Sequence, residues 1–240
     1  MSEEKTRYPG VYSAMKRELY LLLDYPTCRE ERALRILKEL QKLGVELLEF
    51  VAKGYRGTVF KGKLNRNLVA IKVKRSDVLK EKLIEKECEI LKHLENFSIK
   101  TEEQNPAPKV HQCTEEYLIM EFIEGLPFSR ALKNYDPKTV VKEALRSCYF
   151  LDRAGVKHSE IKGEKHLLFD GQRIRVIDFE SAKFSERPRN LLQFVGYHLI
   201  RRKELLRELG ISQERVRELI ELYKENPDEG FKAFILELRK

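Results

Sequence analysis

The chain has 240 residues and a formal net charge of +8, from 47 Lys and Arg against 39 Asp and Glu. A hydrophobic share of 42% supports a buried core and excludes a disordered chain, while charges spread over 36% of positions leave no apolar run long enough to span a bilayer. The length suits one two-lobed domain with a modest extension, and the basic balance favours a polyanionic partner such as nucleic acid or phosphate.

Tryptophan is absent and Glu, Lys and Arg dominate. That pattern is expected of a hyperthermophile protein, because ion-pair networks gain from heat. Cys28, Cys88, Cys113 and Cys148 lie far apart without metal-site spacing. They predict buried, reduced thiols in a cytoplasmic protein. The opening M-S-E-E-K does not read as a signal peptide.

In chain order, residues 8–24 read as a helix with Val11, Met15, Leu19 and Leu22 on one face. Thr27-Cys28-Arg29-Glu30 reads as a capping box opening a second helix that Gly44 stops. This pair is either packing support for the neighbouring strands or a substrate-binding appendage. A strand over 45–51 leads into Ala52-Lys53-Gly54-Tyr55-Arg56-Gly57-Thr58-Val59. Glycines suit a loop whose backbone amides approach phosphate oxygens closely, although the same pair also makes an ordinary hairpin. The next strand, 68–73, contains V-A-I-K, ending at Lys72. A lysine inside an apolar strand needs a partner. On the helix expected over 76–94, Glu87 lies on the apolar stripe of Leu83, Ile84, Cys88, Leu91 and Leu94, whereas Glu85 and Glu89 point to solvent. Glu87 is therefore the expected partner.

Strands at 110–113 and 117–122 come next, then M-E-F-I-E-G from Met120. Asp136-Pro137 caps a helix through 151 with Val141, Leu145 and Cys148 inward. Residues 156–184 then read as a polar loop, a strand, a turn at Asp170-Gly171 and a second strand ending on Asp178. Glu160, Lys162 and Asp178 converge there. The remainder is helical: 190–209, opened by Asn190-x-x-Gln193, then 212–225 and 227–238.

From about 45 to 184 the order of motifs resembles the protein-kinase fold. The family's G-x-G-x-x-G-x-V appears with Ala52 at the first glycine, and Gly54 and Gly57 at the others. The resemblance implies that Gly54, Gly57, Val59 and Ala70 surround a nucleotide and that Lys72, held by Glu87, binds its phosphates. Met120 would stand behind the base, with Glu121 and Ile123 offering main-chain groups to its edge. The family's H-R-D-L-K-P-E-N becomes His158-Ser-Glu-Ile-Lys-Gly-Glu-Lys-His166. Glu160 stands at the catalytic aspartate, and Lys162 keeps the charge-neutralising place. Lys165 or His166 takes the region of the metal-binding asparagine, leaving a second metal site in doubt because lysine cannot bind Mg²⁺. Asp178 of D-F-E matches the metal-binding aspartate of D-F-G. Between it and Asn190 the link is short and lacks A-P-E, so the platform for a peptide is missing.

This compact form resembles the RIO-like atypical archaeal kinases. It is most similar to the archaeal group, labelled predicted serine/threonine kinases, that includes a tRNA 2′-O-kinase. The expected fold class is α+β and two-lobed, with a helical extension at 1–44, an N-lobe at 45–119 and a helical C-lobe at 120–240. The implied activity is transfer of the γ-phosphoryl group of ATP or another nucleoside triphosphate, with Mg²⁺, to an alcohol. The resemblance points to the 2′-hydroxyl of a tRNA variable-loop uridine, at position forty-seven. The alternatives are an atypical serine/threonine protein kinase and a nucleotide-binding pseudokinase, the latter motivated by Glu160 and the missing asparagine. Lys183, Arg187, Arg189, Arg201 and Arg202 are the candidates for RNA phosphates.

Overall fold

The computed structural model describes residues 18–78 and 82–239. Val11 and Met15 of the first expected helix lie outside them. The chain divides into two units, one reaching Cys88 and including Val110–Phe122, the other formed by Glu89–Lys109 and everything from Ile123.

The first unit contains helix α1 (Glu30–Lys42) and strands β1 (Val45–Lys53), β2 (Gly57–Leu64) and β3 (Asn67–Lys74). Helix α2 (Leu83–Thr101) comes after them, its first residues belonging to this unit, and then β4 (Val110–Cys113) and β5 (Tyr117–Glu121). The sheet runs β1-β2-β3-β5-β4 with antiparallel neighbours. Side chains alternate across a strand. Val69, Ile71 and Val73 therefore pack with Ala33, Ile36 and Leu40 of α1 in one buried cluster, joined by Phe60, Tyr117 and Ile119. The alternate residues, Ala70 and Lys72, take the opposite face, and register places Val59 beside Lys72 and Met120 beside Ala70. Directly opposed residues share a face, so these four candidates stand together.

Helix α1 is thus part of the packing of this sheet. Arg32 fixes it: its guanidinium donates to Asp24 Oδ1 (2.8 Å), Glu116 Oε1 (2.9 Å) and the Lys74 carbonyl (2.9 Å). Burial alone would raise the Asp24 carboxyl, but hydrogen bonds from Arg29 and Arg32 hold it below the usual carboxylate range.

Three expectations are corrected. Thr27 does not cap α1; it bonds Ser76 Oγ, and Asp24 Oδ2 accepts the Arg29 amide at 2.8 Å instead. A nearby acid outcompeted the local box. The helix expected at 76–94 covers Leu83–Thr101, continuing past its last fully buried residue, Leu94, through residues that are half-buried or exposed. Cys88 and Cys113, expected as thiols, form a disulfide that ties α2 to β4. Sequence spacing could not show that these elements meet; Cys28 is exposed and Cys148 buried, both as thiols.

The second unit takes the rest of α2, then β6 (Leu126–Pro127), α3 (Phe128–Asn134), α4 (Pro137–Arg153), β7 (Val156–Lys157), β8 (Leu167–Phe169), β9 (Ile174–Val176) and β10 (Lys183–Phe184). Asp136 caps α4 by accepting the Thr139 amide at 2.8 Å. Its apolar side, with Val141, Leu145 and Cys148, is fully buried. The short strands form a β6-β8-β9 sheet and a β7-β10 pair. Asp170 Oδ1 accepts the amides of Gln172 and Arg173 to close the β8–β9 turn.

Helices α5 (Asn190–Phe194), α6 (Lys203–Leu209), α7 (Gln213–Glu225) and α8 (Pro227–Glu237) complete the unit. The single helix expected at 190–209 is broken: a π-helical turn at Val195–Leu199 succeeds α5, and residues 200–202 lie between it and α6. Asn190 is not a cap either. It is fully buried, and its amide donates at 2.7 Å to both Asp152 Oδ1 and the Val156 carbonyl.

Candidate active site

In the first unit, Lys72 Nζ lies 2.7 Å from Glu87 Oε2, with the residues 6% and 2% exposed. Such a pair is a charge-assisted hydrogen bond out of reach of solvent. It exists because β3 is the central strand, between β2 and β5, and because one turn of α2 presents Glu87 to it. Gly54 donates to the Gly57 carbonyl at 2.8 Å, closing the β1–β2 turn. A Cβ on Gly57 would fall 2.8 Å from the Val73 carbonyl. The sheet itself therefore requires this glycine, a reason that spacing alone does not supply. Val59 and Ala70 flank Lys72, Met120 is buried in β5, and Glu121 is half-buried at the end of that strand. Ile123 belongs to the second unit.

In the second unit, the polar loop after β7 is fixed from beneath. Asn190 Oδ1 accepts the His158 amide at 2.9 Å. The Asn190 amide rests on Asp152, whose carboxylate also accepts the Leu191 amide and the Tyr223 hydroxyl. His158 Nε2 donates to the Ile177 carbonyl at 3.0 Å, and its Nδ1 accepts the Glu160 amide at 3.3 Å. Burial pushes this imidazole down to about 4, so it stays neutral and braces the two segments carrying Glu160 and Asp178. Both segments include left-handed non-glycine residues, Ser159 at φ +74° and Asp178 at φ +66°. This costly backbone is held by the surrounding bonds and aims side chains.

Glu160, His166 and Asp178 meet, each offering one atom within 4.8 Å of the others. His166 Nε2 is 3.5 Å from Glu160 Oε2 and 3.6 Å from Asp178 Oδ2. Its Nδ1 lies 3.0 Å from the Glu160 carbonyl. The sequence left the asparagine's region to Lys165 or His166. The structure puts His166 there, buried, while Lys165 is exposed. Gly163 makes this fold-back possible, since a Cβ there would sit 2.9 Å from His166 Nδ1. Gly163, His158 and Asn190 were not foreseen as site residues from the sequence. A loop glycine three before a histidine was the available signal for the first.

The protein kinase domain family matches residues 45–215. The chain belongs to that family. Of the relatives, the serine/threonine-protein kinase mig-15 of Caenorhabditis elegans is 29% identical over 167 residues, covering 63% of this chain. An uncharacterized protein of Methanocaldococcus jannaschii is 34% identical over 74 residues, covering 30% of this chain. The chain spans 15% of the former's length in that match and 64% of the latter's. Members of the protein kinase domain family in general use ATP and Mg²⁺ for phosphotransfer. The carboxylates of Asp178 and Glu160 suit a hard divalent cation.

The other candidates of this kinase domain separate into groups. Lys162 is exposed on the loop. Arg202 is ion-paired with Glu164, and burial lowers its guanidinium from the usual value. Arg201 stacks over the Tyr197 ring at 4.8 Å. Lys183, Arg187 and Arg189 line a cavity of about 670 Å³ together with Lys157 and Lys224. Among the described residues no helix is long and apolar enough to cross a membrane.

Proposed function

We propose that this kinase domain transfers the γ-phosphoryl group of ATP to a ribose hydroxyl of RNA, the acceptor being the 2′-hydroxyl of a tRNA variable-loop uridine at position forty-seven. Lys72, held by Glu87, binds nucleotide phosphates, with Gly54, Gly57, Val59, Ala70 and Met120 around the nucleotide and Glu121 and Ile123 contributing main-chain groups. Glu160 orients the acceptor hydroxyl and takes its proton, and Lys162 offsets charge on the transferring group. Asp178 holds Mg²⁺, which when bound neutralises phosphate charge.

The observation that carries the RNA reading is the basic cavity: five cations, Lys157, Lys183, Arg187, Arg189 and Lys224, gather around one concavity. Such a surface binds phosphates without needing fixed spacing. The short link from Asp178 to α5, without A-P-E, supports it, as does the resemblance to the tRNA 2′-O-kinase group. A ribose hydroxyl is an alcohol like that of serine.

The second reading, a serine/threonine protein kinase, is favoured by the similarity to mig-15. Labelled ATP offered side by side to tRNA and to generic protein acceptors, with nucleoside mass spectrometry of the product, separates the two. The expected result is a phosphorylated tRNA ribose. Transfer to protein with none to tRNA, across several salt concentrations, overturns the RNA reading. Replacing Arg187 and Arg189 by Glu is expected to weaken tRNA binding while sparing nucleotide binding, and to reduce the log–log salt slope by roughly 0.7 to 0.9 per lost contact.

A further inference from the structure

We infer that Glu160, His166 and Asp178 form a three-ligand site for a first-row divalent transition ion, with His166 Nε2 as the ligand that selects it over Mg²⁺. The inference rests on the kinase reading only for its location, and it concerns the identity of the ion.

His166 is 3% exposed, and its Nε2 has no hydrogen-bond partner among the described residues. A buried polar atom in that condition carries an uncompensated desolvation cost. The tautomer comes from chemistry: a carbonyl only accepts, so Nδ1 carries the proton donated to the Glu160 carbonyl. The Nε2 lone pair then points toward two carboxylate oxygens. A neutral imidazole lone pair facing two anions is unfavourable without a cation.

A proton on Nε2 is one answer, and the distances argue against it. Charge-assisted N–H···O bonds measure about 2.7–2.9 Å, whereas the observed separations are 3.5 and 3.6 Å. Bonds of about 2.0–2.2 Å to a single ion put its ligands roughly 3 to 4 Å apart. The observed spacing fits that arrangement. Fixing the imidazole through its other nitrogen to a backbone carbonyl is also the usual support of a metal-ligating histidine. Here the same residue supplies that carbonyl and one of the carboxylates. Glu160 has two oxygens, and the one away from His166 remains to orient an acceptor hydroxyl.

An imidazole nitrogen is a poor ligand for Mg²⁺, which takes oxygen, and a good one for Mn²⁺, Co²⁺, Ni²⁺ and Zn²⁺. Replacing the family's asparagine oxygen with His166 nitrogen therefore shifts the preferred ion.

The test titrates the intact protein with Mn²⁺, followed by electron paramagnetic resonance and its electron-spin-echo modulation, with Mg²⁺ as competitor. The expected result is a modulation from directly bound histidine nitrogen that changes when histidine is labelled with ¹⁵N. His166→Asn, checked for folding by circular dichroism, is expected to lose that signal and bind Mn²⁺ roughly tenfold or more weakly. The unmutated chain carries the isotope test even where the variant fails to fold. Mn²⁺ bound without nitrogen coupling, displacement by an equal concentration of Mg²⁺, or no Mn²⁺ binding overturns the inference. Because no phosphoryl transfer is read, a chain that passes this test yet phosphorylates nothing removes the kinase reading alone.

Discussion

The two units bury ionised or ionisable side chains in opposite ways. In the first, Lys72 and Glu87 close on each other at 2.7 Å, both nearly inaccessible. In the second, His166 faces Glu160 and Asp178 at distances too long for hydrogen bonds, leaving Nε2 without one among the described residues. The closed pair is satisfied by the protein alone and fixes a lysine in place. In the open trio it is the His166 Nε2 lone pair that the protein leaves without a hydrogen bond among the described residues, and a bound cation would complete it. Burial by itself therefore does not mark a binding site. The mark is burial with an orphaned lone pair and converging charge.

That contrast is broken most severely at the open site. Asp178→Asn is expected to lower phosphoryl transfer by roughly 10³-fold or more while leaving the thermal unfolding midpoint nearly unchanged, since removing an electrostatic anchor costs the transition state and not the fold. An active, well-folded variant would show that another acid has this role. Breaking the closed pair should do the reverse. Glu87→Ala takes the 2.7 Å carboxylate partner from a buried ammonium and is expected to cost about 3–5 kcal/mol of stability by denaturant titration. The double variant Lys72→Met with Glu87→Leu is expected to recover most of that loss while staying inactive. A double variant as unstable as the single one would refute the picture of a self-satisfied pair.

The disulfide sharpens the comparison, because Cys88 is the residue after Glu87. Cys113→Ala is expected to destabilise the chain by about 2–4 kcal/mol under oxidising conditions. Reducing the unmutated protein should reproduce that loss, and equal stability with and without reductant would contradict it. Smallest is the contrast within the polar loop. Glu160→Gln is expected to lower turnover about 10²-fold with little change in nucleotide affinity, as for a group acting mainly in the transition state. Glu164→Gln, which only frees Arg202, should leave turnover within a few-fold of the unmutated protein. The opposite ranking would transfer the role to Glu164.

Much of this was legible in the chain itself. Alternation in Val69–Val73 sets one side of β3 toward α1 and the other toward Val59 and Met120. Helical spacing singled out Glu87 over Glu85 and Glu89 because only its position shares the apolar stripe. The motif order from 45 to 184 pointed to the kinase fold, which the match over 45–215 supports. Local caps were less reliable. Thr27 and Asn190 both satisfy a capping pattern, yet each is drawn into a bond with a residue distant in sequence. A short polar side chain has many partners of similar energy, and tertiary proximity chooses among them.

What the sequence determined by itself was periodicity: which residues face a core, where strands turn, and that Lys72 needed an acid. Periodicity is a property of neighbours along the backbone, so it survives without coordinates. Only the tertiary structure decided the meetings between distant segments. Cys88 of α2 finds Cys113 of β4, 25 residues away in sequence. Arg202 is drawn to Glu164. His166, not Lys165, turns inward because Gly163 leaves room for its ring and the Glu160 carbonyl holds it. Two adjacent residues of one loop differ little in sequence terms, and a single hydrogen bond to a fixed carbonyl is enough to choose between them.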